Sequence, residues 1–302
     1  MKIIVFMNIR AGAASGRDIP DRLRRALHDA GLSADIRETG NDLPDAVRKS
    51  LTTNPDAVAA AGGDGTVSTV AAALAGSGTA LGIIPLGTLN HFAKDLGIPA
   101  DLSEAARLLA RPCFRDIDIG EAEGRFFINN CSMGLYPRMV QFREERRFLL
   151  GRGKWFLMSA AFLDVMRRYP LITVRLDLDG RSYVRRTPFL FVGNNSYDFS
   201  LFSLGGRASL DRGELCLYSA RGQSRSALFS TAVRALFGRL DQGRDFEEKS
   251  VQEVRIETSR SRIRAALDGE IVTLPNPLRC FSRRGALRVI APPPGPAIRS
   301  GQ

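Results

Sequence analysis

Five residues, Gly62-Gly63-Asp64-Gly65-Thr66, combine the properties that phosphate chemistry needs in one place. Glycines let a backbone approach a ligand closely. Main-chain amides at the start of a helix point at whatever lies before it, so a phosphate is the natural guest. Thr66 can cap such a helix or bond a phosphate oxygen. Asp64 is unexpected in a simple anion site, because a carboxylate repels phosphate unless a divalent cation or a transferable proton lies between them. Phosphoryl transfer would supply that reason. Taken alone, the five residues also fit a tight turn with a helix-capping threonine. A second stretch, Pro85-Leu86-Gly87-Thr88-Leu89-Asn90-His91-Phe92-Ala93, follows another apolar run in the same way. The sequence has no G-x-x-x-x-G-K-[ST] loop, no protein-kinase signature set and no G-x-G-x-x-G fingerprint, so the standard nucleotide-binding loops are not indicated.

Such loops need strands before them and helices after them. Residues 2–7 form an apolar run, followed by a glycine-bearing loop and an amphipathic stretch with Leu23, Leu27 and Leu32. The pattern then predicts a strand at 34–39, a helix at 43–51, a buried strand at 56–61 and a helix at 67–75. A strand at 80–84 and helices at 90–96 and 102–109 follow. This alternation predicts a parallel sheet covered on both faces, with ligands at the carboxyl ends of its strands. Both glycine loops would then open on one crevice.

After about residue 119 the pattern changes. Residues 171–178 alternate apolar and polar, Asp179-Gly180 is a hairpin turn signal, and a second strand returns. Short strands also fit 126–130, 214–219, 251–257, 262–267 and 287–290, which reads as an antiparallel β-sandwich. Helical stretches near 153–168 and 225–240 interrupt it. The expected organisation is an α/β domain at 1–118, a β-sandwich domain at 119–291 and a Pro/Gly-rich, disordered tail at 292–302.

Composition narrows the possibilities. At 302 residues, 44% hydrophobic and 25% charged, the chain can build two domains, each with a core. Disorder as the main state and a disulfide-dense secreted scaffold are excluded. Cys113, Cys131, Cys216 and Cys280 show no paired spacing and read as reduced cytosolic thiols. His28 and His91 alone do not make a histidine metal cage. The net charge of +11 is uneven: residues 1–118 carry 13 Lys+Arg against 14 Asp+Glu, and residues 119–302 carry 30 against 18. The second part is thus expected to meet an anionic surface, although an arginine-rich composition gives the same total. Residues 65–93 lack acidic or basic side chains other than His91, but glycines, Pro85 and Asn90 interrupt them. They read as helix, turn, strand and loop, and no transmembrane helix is expected.

The three pieces GGDGT, PLGTLNHFA and Leu267-Asp268-Gly269-Glu270 together resemble the diacylglycerol kinase catalytic-domain family, whose bacterial lipid kinases and sphingosine and ceramide kinases share the pattern. Asn8 and Gly12 stand where that family has an NPxxG loop, and residues 127–136 and 189–199 resemble blocks of its second domain. The likeness runs over roughly residues 1–291. It implies a phosphofructokinase-like three-layer α/β domain followed by an antiparallel β-sandwich. It also implies ATP held by Gly62, Gly63, Asp64, Gly65 and Thr66 with Thr39, Gly87, Thr88 and Asn90, and with Asn8 lining the pocket. Asp64 would sit near the transferred phosphate and its Mg2+. Glu270 would accept the proton of a lipid hydroxyl, with Asp268 as the second choice. Seen alone, Asp268-Gly269 also reads as an ordinary hairpin turn.

The chain departs from the family at three points. Ile9 stands where proline is usual, which reshapes that loop. His91 stands where many members have aspartate and reads as a helix-start residue. Arg212 replaces an acidic residue that contributes to an Mg2+ site, and a cation cannot coordinate Mg2+, so Asp211 is the carboxylate that would substitute. Basic and aromatic residues interleave at 138–156 and 225–240, which suits an anionic membrane boundary or, equally, a helix with a solvated arginine face. The expected activity is therefore an ATP-dependent lipid kinase, cytoplasmic and peripheral on the inner face of the membrane, with no nucleic-acid partner and a homodimer as a further candidate assembly. The competing readings are a NAD kinase, whose family also carries GGDGT, and a nucleotide- or lipid-binding module without turnover.

Overall fold

Segments that are apolar along their whole length must be covered on both faces when they form strands. In the computed structural model, which describes residues 1–8, 18–40, 42–134, 171–197, 206–207, 209–221 and 245–293, three such segments form the centre of a parallel sheet. The strands are β1 (Ile3–Met7), β2 (Ala34–Glu38), β3 (Ala57–Gly62) and β4 (Ala80–Pro85), in the order β2-β1-β3-β4. Every residue of β1, β3 and β4 is buried.

Helices α1 (Ile19–Asp29), α2 (Leu43–Leu51), α3 (Asp64–Leu74), α4 (His91–Asp95) and α5 (Leu102–Ala110) follow the strands in turn. Alternate residues of a strand point to opposite faces. One face, with Ile3, Val5, Ala57, Ala59 and Ile84, packs on Leu23 and Leu27 of α1 and Leu109 of α5. On the other side α2 packs against α3, giving the three layers expected. Gly82 permits the close approach of α5, since a Cβ there would lie 2.6 Å from the Leu109 side chain.

The remaining strands are β5 (Phe114–Ala122), β6 (Arg125–Phe127), β7 (Asn130–Gly134), β8 (Ile172–Leu178), β9 (Arg181–Thr187) and β10 (Phe189–Asn194). They continue with β11 (Leu215–Ala220), β12 (Phe246–Val251), β13 (Glu253–Thr258), β14 (Arg262–Leu267), β15 (Glu270–Pro275) and β16 (Leu278–Ile290). One antiparallel sheet runs β12-β11-β10-β7-β14-β15, and the other places β16, β13, β8 and β9 side by side. Their inner faces share one core, in which Leu176, Val254 and Leu278 meet Val192, Leu217 and Ala265. This is the expected sandwich.

The chain divides into two compact units, Met1–Ile119 with Ala208–Arg212 and Arg283–Gln302, and Gly120–Arg207 with Gly213–Ser282. The division falls inside β16, so its second half pairs within the first unit, Val289 beside Leu81 of β4. The sequence pattern alone places all of 119–291 in the second domain and marks only 287–290 of this strand. Arg283, Arg284 and Gly285, exposed in mid-strand, break the apolar alternation that would have revealed it. Other boundaries shift as well. The segment expected at 126–130 is two strands broken at Ile128-Asn129, and α3 begins at Asp64 rather than Val67. The residues after Asn8 in its loop, the stretches 138–156, 153–168 and 225–240, and the tail from 294 lie outside the described residues.

Among the described residues no helix is long and apolar enough to cross a membrane. All four cysteines are free, and three are buried while Cys113 is partly exposed. Burial pushes the Cys216 thiol up to about 11, and a bond from Cys131 together with burial pushes Cys280 well up. The reactive species is the thiolate, so at pH 8 only about one Cys216 in a thousand is competent even before access is considered. Alkylation of the native protein with iodoacetamide at pH 8 should therefore modify Cys113 first. Peptide mass spectrometry should find Cys131, Cys216 and Cys280 labelled only after denaturation.

Candidate active site

The carboxyl ends of the four parallel strands lie level. Met7 is in register with Glu38 and Ala61, Ala61 with Ile84, and Gly62 with Pro85. The residues that follow are therefore brought to one rim of the first unit: Asn8, Thr39, the 62–66 loop and the 87–90 loop. Each strand hands its successor over through the main chain. Asn8 N–H donates to Ala61 C=O at 3.0 Å, Thr39 N–H to Met7 C=O at 3.0 Å, and Leu86 N–H to Gly62 C=O at 3.0 Å.

Two glycines set how near the loops come. A Cβ on Gly87 would lie 2.5 Å from Gly63 Cα and 2.6 Å from Asn90 Oδ1, so neither loop could keep its path with a side chain there. Gly62 is similarly filled: Thr66 Oγ1 would lie 2.6 Å from its Cβ. Gly65 is the opposite case, exposed and with nothing within 4 Å of where its Cβ would stand. The rim thus has a tight floor and an open edge, and the open edge is the first turn of α3.

Gly63 is the N-cap of α3 and brings no side-chain oxygen to it, and Asp64 lies in the first turn. The positive end of the helix is therefore served by main-chain amides with a half-buried carboxylate beside them. Thr66, expected to cap the helix or bond phosphate, is 6% exposed and turned inward, where its Oγ1 receives Asn8 Nδ2 at 3.3 Å. Asn90, in the left-handed region at φ 51°, closes its own loop. Its Oδ1 accepts Gly87 N–H at 3.0 Å, and its Nδ2 donates to Gly87 C=O at 2.8 Å. Thr88 is exposed at the tip. Asn90 and Thr66 thus shape the rim from beneath, and Gly65 and Thr88 face outward.

In the second unit Asp268-Gly269 is a hairpin turn between β14 and β15, with φ of 48° and 89°. The turn and the carboxyl group have separate tasks. Asp268 accepts the N–H groups of Ile128 at 2.8 Å, Asn129 at 2.8 Å and Asn130 at 2.9 Å. Glu270, two residues on, is the exposed first residue of β15. Asp211, the suggested substitute ligand, is exposed and accepts the Ser209 hydroxyl. Among the described residues no three His, Cys, Asp or Glu side chains gather as a metal cluster. Sequence reasoning assigned no role to Arg207, which is 7% exposed and bonded to the same Ile128-Asn129 segment. One arginine among 38 carries no local signal of that kind.

Residues 2–122 match the diacylglycerol kinase catalytic domain. The diacylglycerol kinase of Bacillus subtilis (strain 168) is 26% identical over 266 residues, which are 85% of this chain and 86% of the relative. The chain is thus similar to the diacylglycerol kinases, by the family's domain over residues 2–122 and by this relative over most of its length. A Klebsiella pneumoniae (strain 342) protein named Probable lipid kinase YegS-like is 36% identical over 148 residues, 47% of this chain and 50% of the relative. A diacylglycerol kinase crystal structure from Bacillus anthracis str. Sterne matches 97% of both chains with a TM-score of 0.69 at 21% identity, a likeness of fold.

The family's glycine loops make opposite demands, and a pair of substitutions separates them. Gly87→Ala meets backbone and should cost about 1–3 kcal/mol of stability. Gly65→Ala meets open space within a helix and should hold or raise the melting temperature. It should nevertheless weaken ATP binding, because the methyl group occupies the open edge. Thermal melting beside ATP titration checks both; equal melting temperatures for the two variants would refute the geometry.

Proposed function

We propose that this chain transfers the γ-phosphoryl group of ATP, with Mg2+, to the hydroxyl of a lipid of the diacylglycerol class. The observation that carries the reading is the backbone contact of the Gly63 and Gly87 loops beside the uncapped first turn of α3. That arrangement suits a polyphosphate and little else of comparable size: amides for the oxygens, no side chain in the way, and one carboxylate.

The donor set fits Mg2+ as well. This ion is commonly held by one or two carboxylates together with substrate phosphates rather than by a protein cage. Asp64 is such a carboxylate, half-buried on the rim, and the absence of an acidic cluster among the described residues is no obstacle. When bound, the ion would neutralise charge on the phosphates. Asp64 would hold it, while the amides of α3 and of the 87–90 loop would orient the chain of phosphates.

Glu270 takes the proton of the acceptor hydroxyl. As that O–H bond breaks, the oxygen bonds to the γ-phosphorus, the bond from that phosphorus to the bridging oxygen breaks, and ADP leaves with the electron pair. An alcohol is a weak nucleophile at neutral pH, and general-base assistance contributes typically 10²–10⁴-fold. Exposure suits Glu270 to this work, whereas the Asp268 carboxylate is engaged by three amides. A lipid acceptor is presented at a membrane surface, and the net charge of +11 supports action on an anionic, cytoplasmic leaflet.

Labelled ATP and Mg2+ should be offered with diacylglycerol, phosphatidylglycerol, sphingosine or NAD in separate reactions. Label should appear in a lipid. Label in NAD alone would replace the lipid with a dinucleotide, and label in none, with ATP still bound, would make the chain a binding module. Glu270→Gln should lower turnover on the order of 10²-fold or more with ATP affinity retained. Turnover at the wild-type rate would remove Glu270 from the role of base.

A further inference from the structure

The break between β6 and β7 takes Ile128 and Asn129 out of the strands, and their peptide groups, with the N–H of Asn130 at the start of β7, need partners in this buried to half-buried segment. The second unit supplies them from two sides with opposite charge. Asp268 takes all three N–H groups. Arg207 donates to Ile128 C=O at 2.6 Å, to Asn194 C=O at 3.1 Å and to Asn129 Oδ1 at 3.0 Å. The peptide between Ile128 and Asn129 is therefore held with its carbonyl on a guanidinium and its N–H on a carboxylate.

The next peptide is gripped too. Asn129 C=O receives the Tyr197 hydroxyl at 2.9 Å and Asn194 N–H at 2.9 Å, while the N–H of Asn130 goes to Asp268. Asp268 N–H returns a bond to Asn130 C=O at 2.9 Å. The Tyr197 ring lies 5.2 Å from the guanidinium carbon and closes the far side.

We propose that Arg207 is a positioning residue for Glu270, acting through the 128–130 segment and Asp268. The inference rests on the kinase reading, in which Glu270 is the base. Hydrogen bonds in series polarise one another, so a cation on Ile128 C=O strengthens the Asn129 N–H bond to Asp268. Asp268 sits at a positive φ that aspartate adopts in an Asp-Gly turn. Its grip on the three amides fixes that turn, and Glu270 leaves the turn in register with Leu267. The neutral groups Tyr197 and Asn194 already satisfy Asn129 C=O. A buried guanidinium carries a desolvation cost that tying a loop does not require, whereas a base that must stand within hydrogen-bond reach of a hydroxyl does require a fixed turn.

Replacing Arg207 by Met removes the charge and keeps an unbranched side chain. Arg207→Met should lower kcat on the order of 10²-fold, since misplacement by about 1 Å can cost that much, with KM for ATP unchanged. Hydrogen exchange should quicken in peptides covering 127–131 and stay unchanged in those covering 57–74. Added methylguanidinium should restore part of the kcat of Arg207→Ala, and Tyr197→Phe should show a smaller loss than Arg207→Met. If Arg207→Met does not fold, Arg207→Gln, which also removes the charge from an unbranched side chain, provides the same comparison. Wild-type kcat in a folded variant, or unchanged exchange at 127–131, would overturn the proposal. So would a loss of kcat that follows melting temperature alone and ignores methylguanidinium. A wild-type protein that phosphorylates no lipid would instead sink the kinase reading, and faster exchange in Arg207→Met would still establish the clamp.

Discussion

The approach of Gly63 to Gly87 constrains much of the first unit. A Cβ on Gly87 would stand 2.5 Å from Gly63 Cα, so the two loops touch through backbone and nothing else fits between them. Such contact is possible only because β3 and β4 are neighbours whose ends are level, Gly62 beside Pro85. Those ends are level because both strands are buried along their whole length and leave no freedom of register. The small side chains of β3, alanine at four of its six positions, let helices lie close on both faces of the sheet. The alanine-rich strand and the glycine-rich loop thus have the same cause, a demand for close approach that ends at the ligand rim.

The second unit solves a different problem. Its two sheets enclose an apolar core, and a strand break at Ile128-Asn129 leaves buried and half-buried peptide groups that need partners. Neutral partners could meet that need. Tyr197 and Asn194 meet part of it, a carboxylate and a guanidinium join them, and charged hydrogen bonds are roughly twice as strong as neutral ones. They are also unforgiving, because removing one partner leaves the other buried and unpaired. In the proposed reaction, rigidity of that kind would serve a side chain two residues away that must hold a proton-accepting position. The first unit achieves precision by leaving side chains out, and the second by fixing them with charge.

The legible parts of the chain were those where one periodicity ran without interruption. The strands at 3–7, 57–62 and 80–85 and the helix at 43–51 follow from unbroken apolar patterns, and the hairpin at Asp179-Gly180 follows from its turn residues. The start of β5 is hidden because Arg115 and Asp116 set two adjacent charges between Phe114 and Ile117 and break the alternation that marks a strand. Most of β16 was missed because Arg283-Arg284-Gly285 interrupts it. Asp118 and Gly285, invisible as partners in sequence, bond at 2.9 Å across 167 residues. The candidate site residues were legible as motifs, but their individual tasks were not. Thr66 turns inward to Asn8 and Asn90 bridges its own loop, and such tasks depend on rotamers that spacing does not encode. Asp268 read either as turn or as catalyst, and its three amide bonds come from residues 138 to 140 positions away.

The charge asymmetry also changes meaning once the chain is divided by contacts rather than at residue 118. The first unit takes back Arg212, Arg283, Arg284, Arg288 and Arg299 together with Asp211, so it carries 18 Lys+Arg against 15 Asp+Glu, and the second carries 25 against 17. Net charges of +3 and +8 replace −1 and +12, and the contrast falls from 13 charges to 5. Individual cations are also committed elsewhere. Arg207 is buried on carbonyls, Arg185 pairs with Glu247, and Arg288 pairs with Asp116 at 2.9 Å. A cation facing an anionic leaflet is worth about 1 kcal/mol, but only if it is free to face it, so a formal total overstates the attraction. Charge therefore ranks below the glycine loops as evidence of function. Arginines can be surface, ion pair or clamp, whereas a backbone contact that excludes every side chain has far fewer uses.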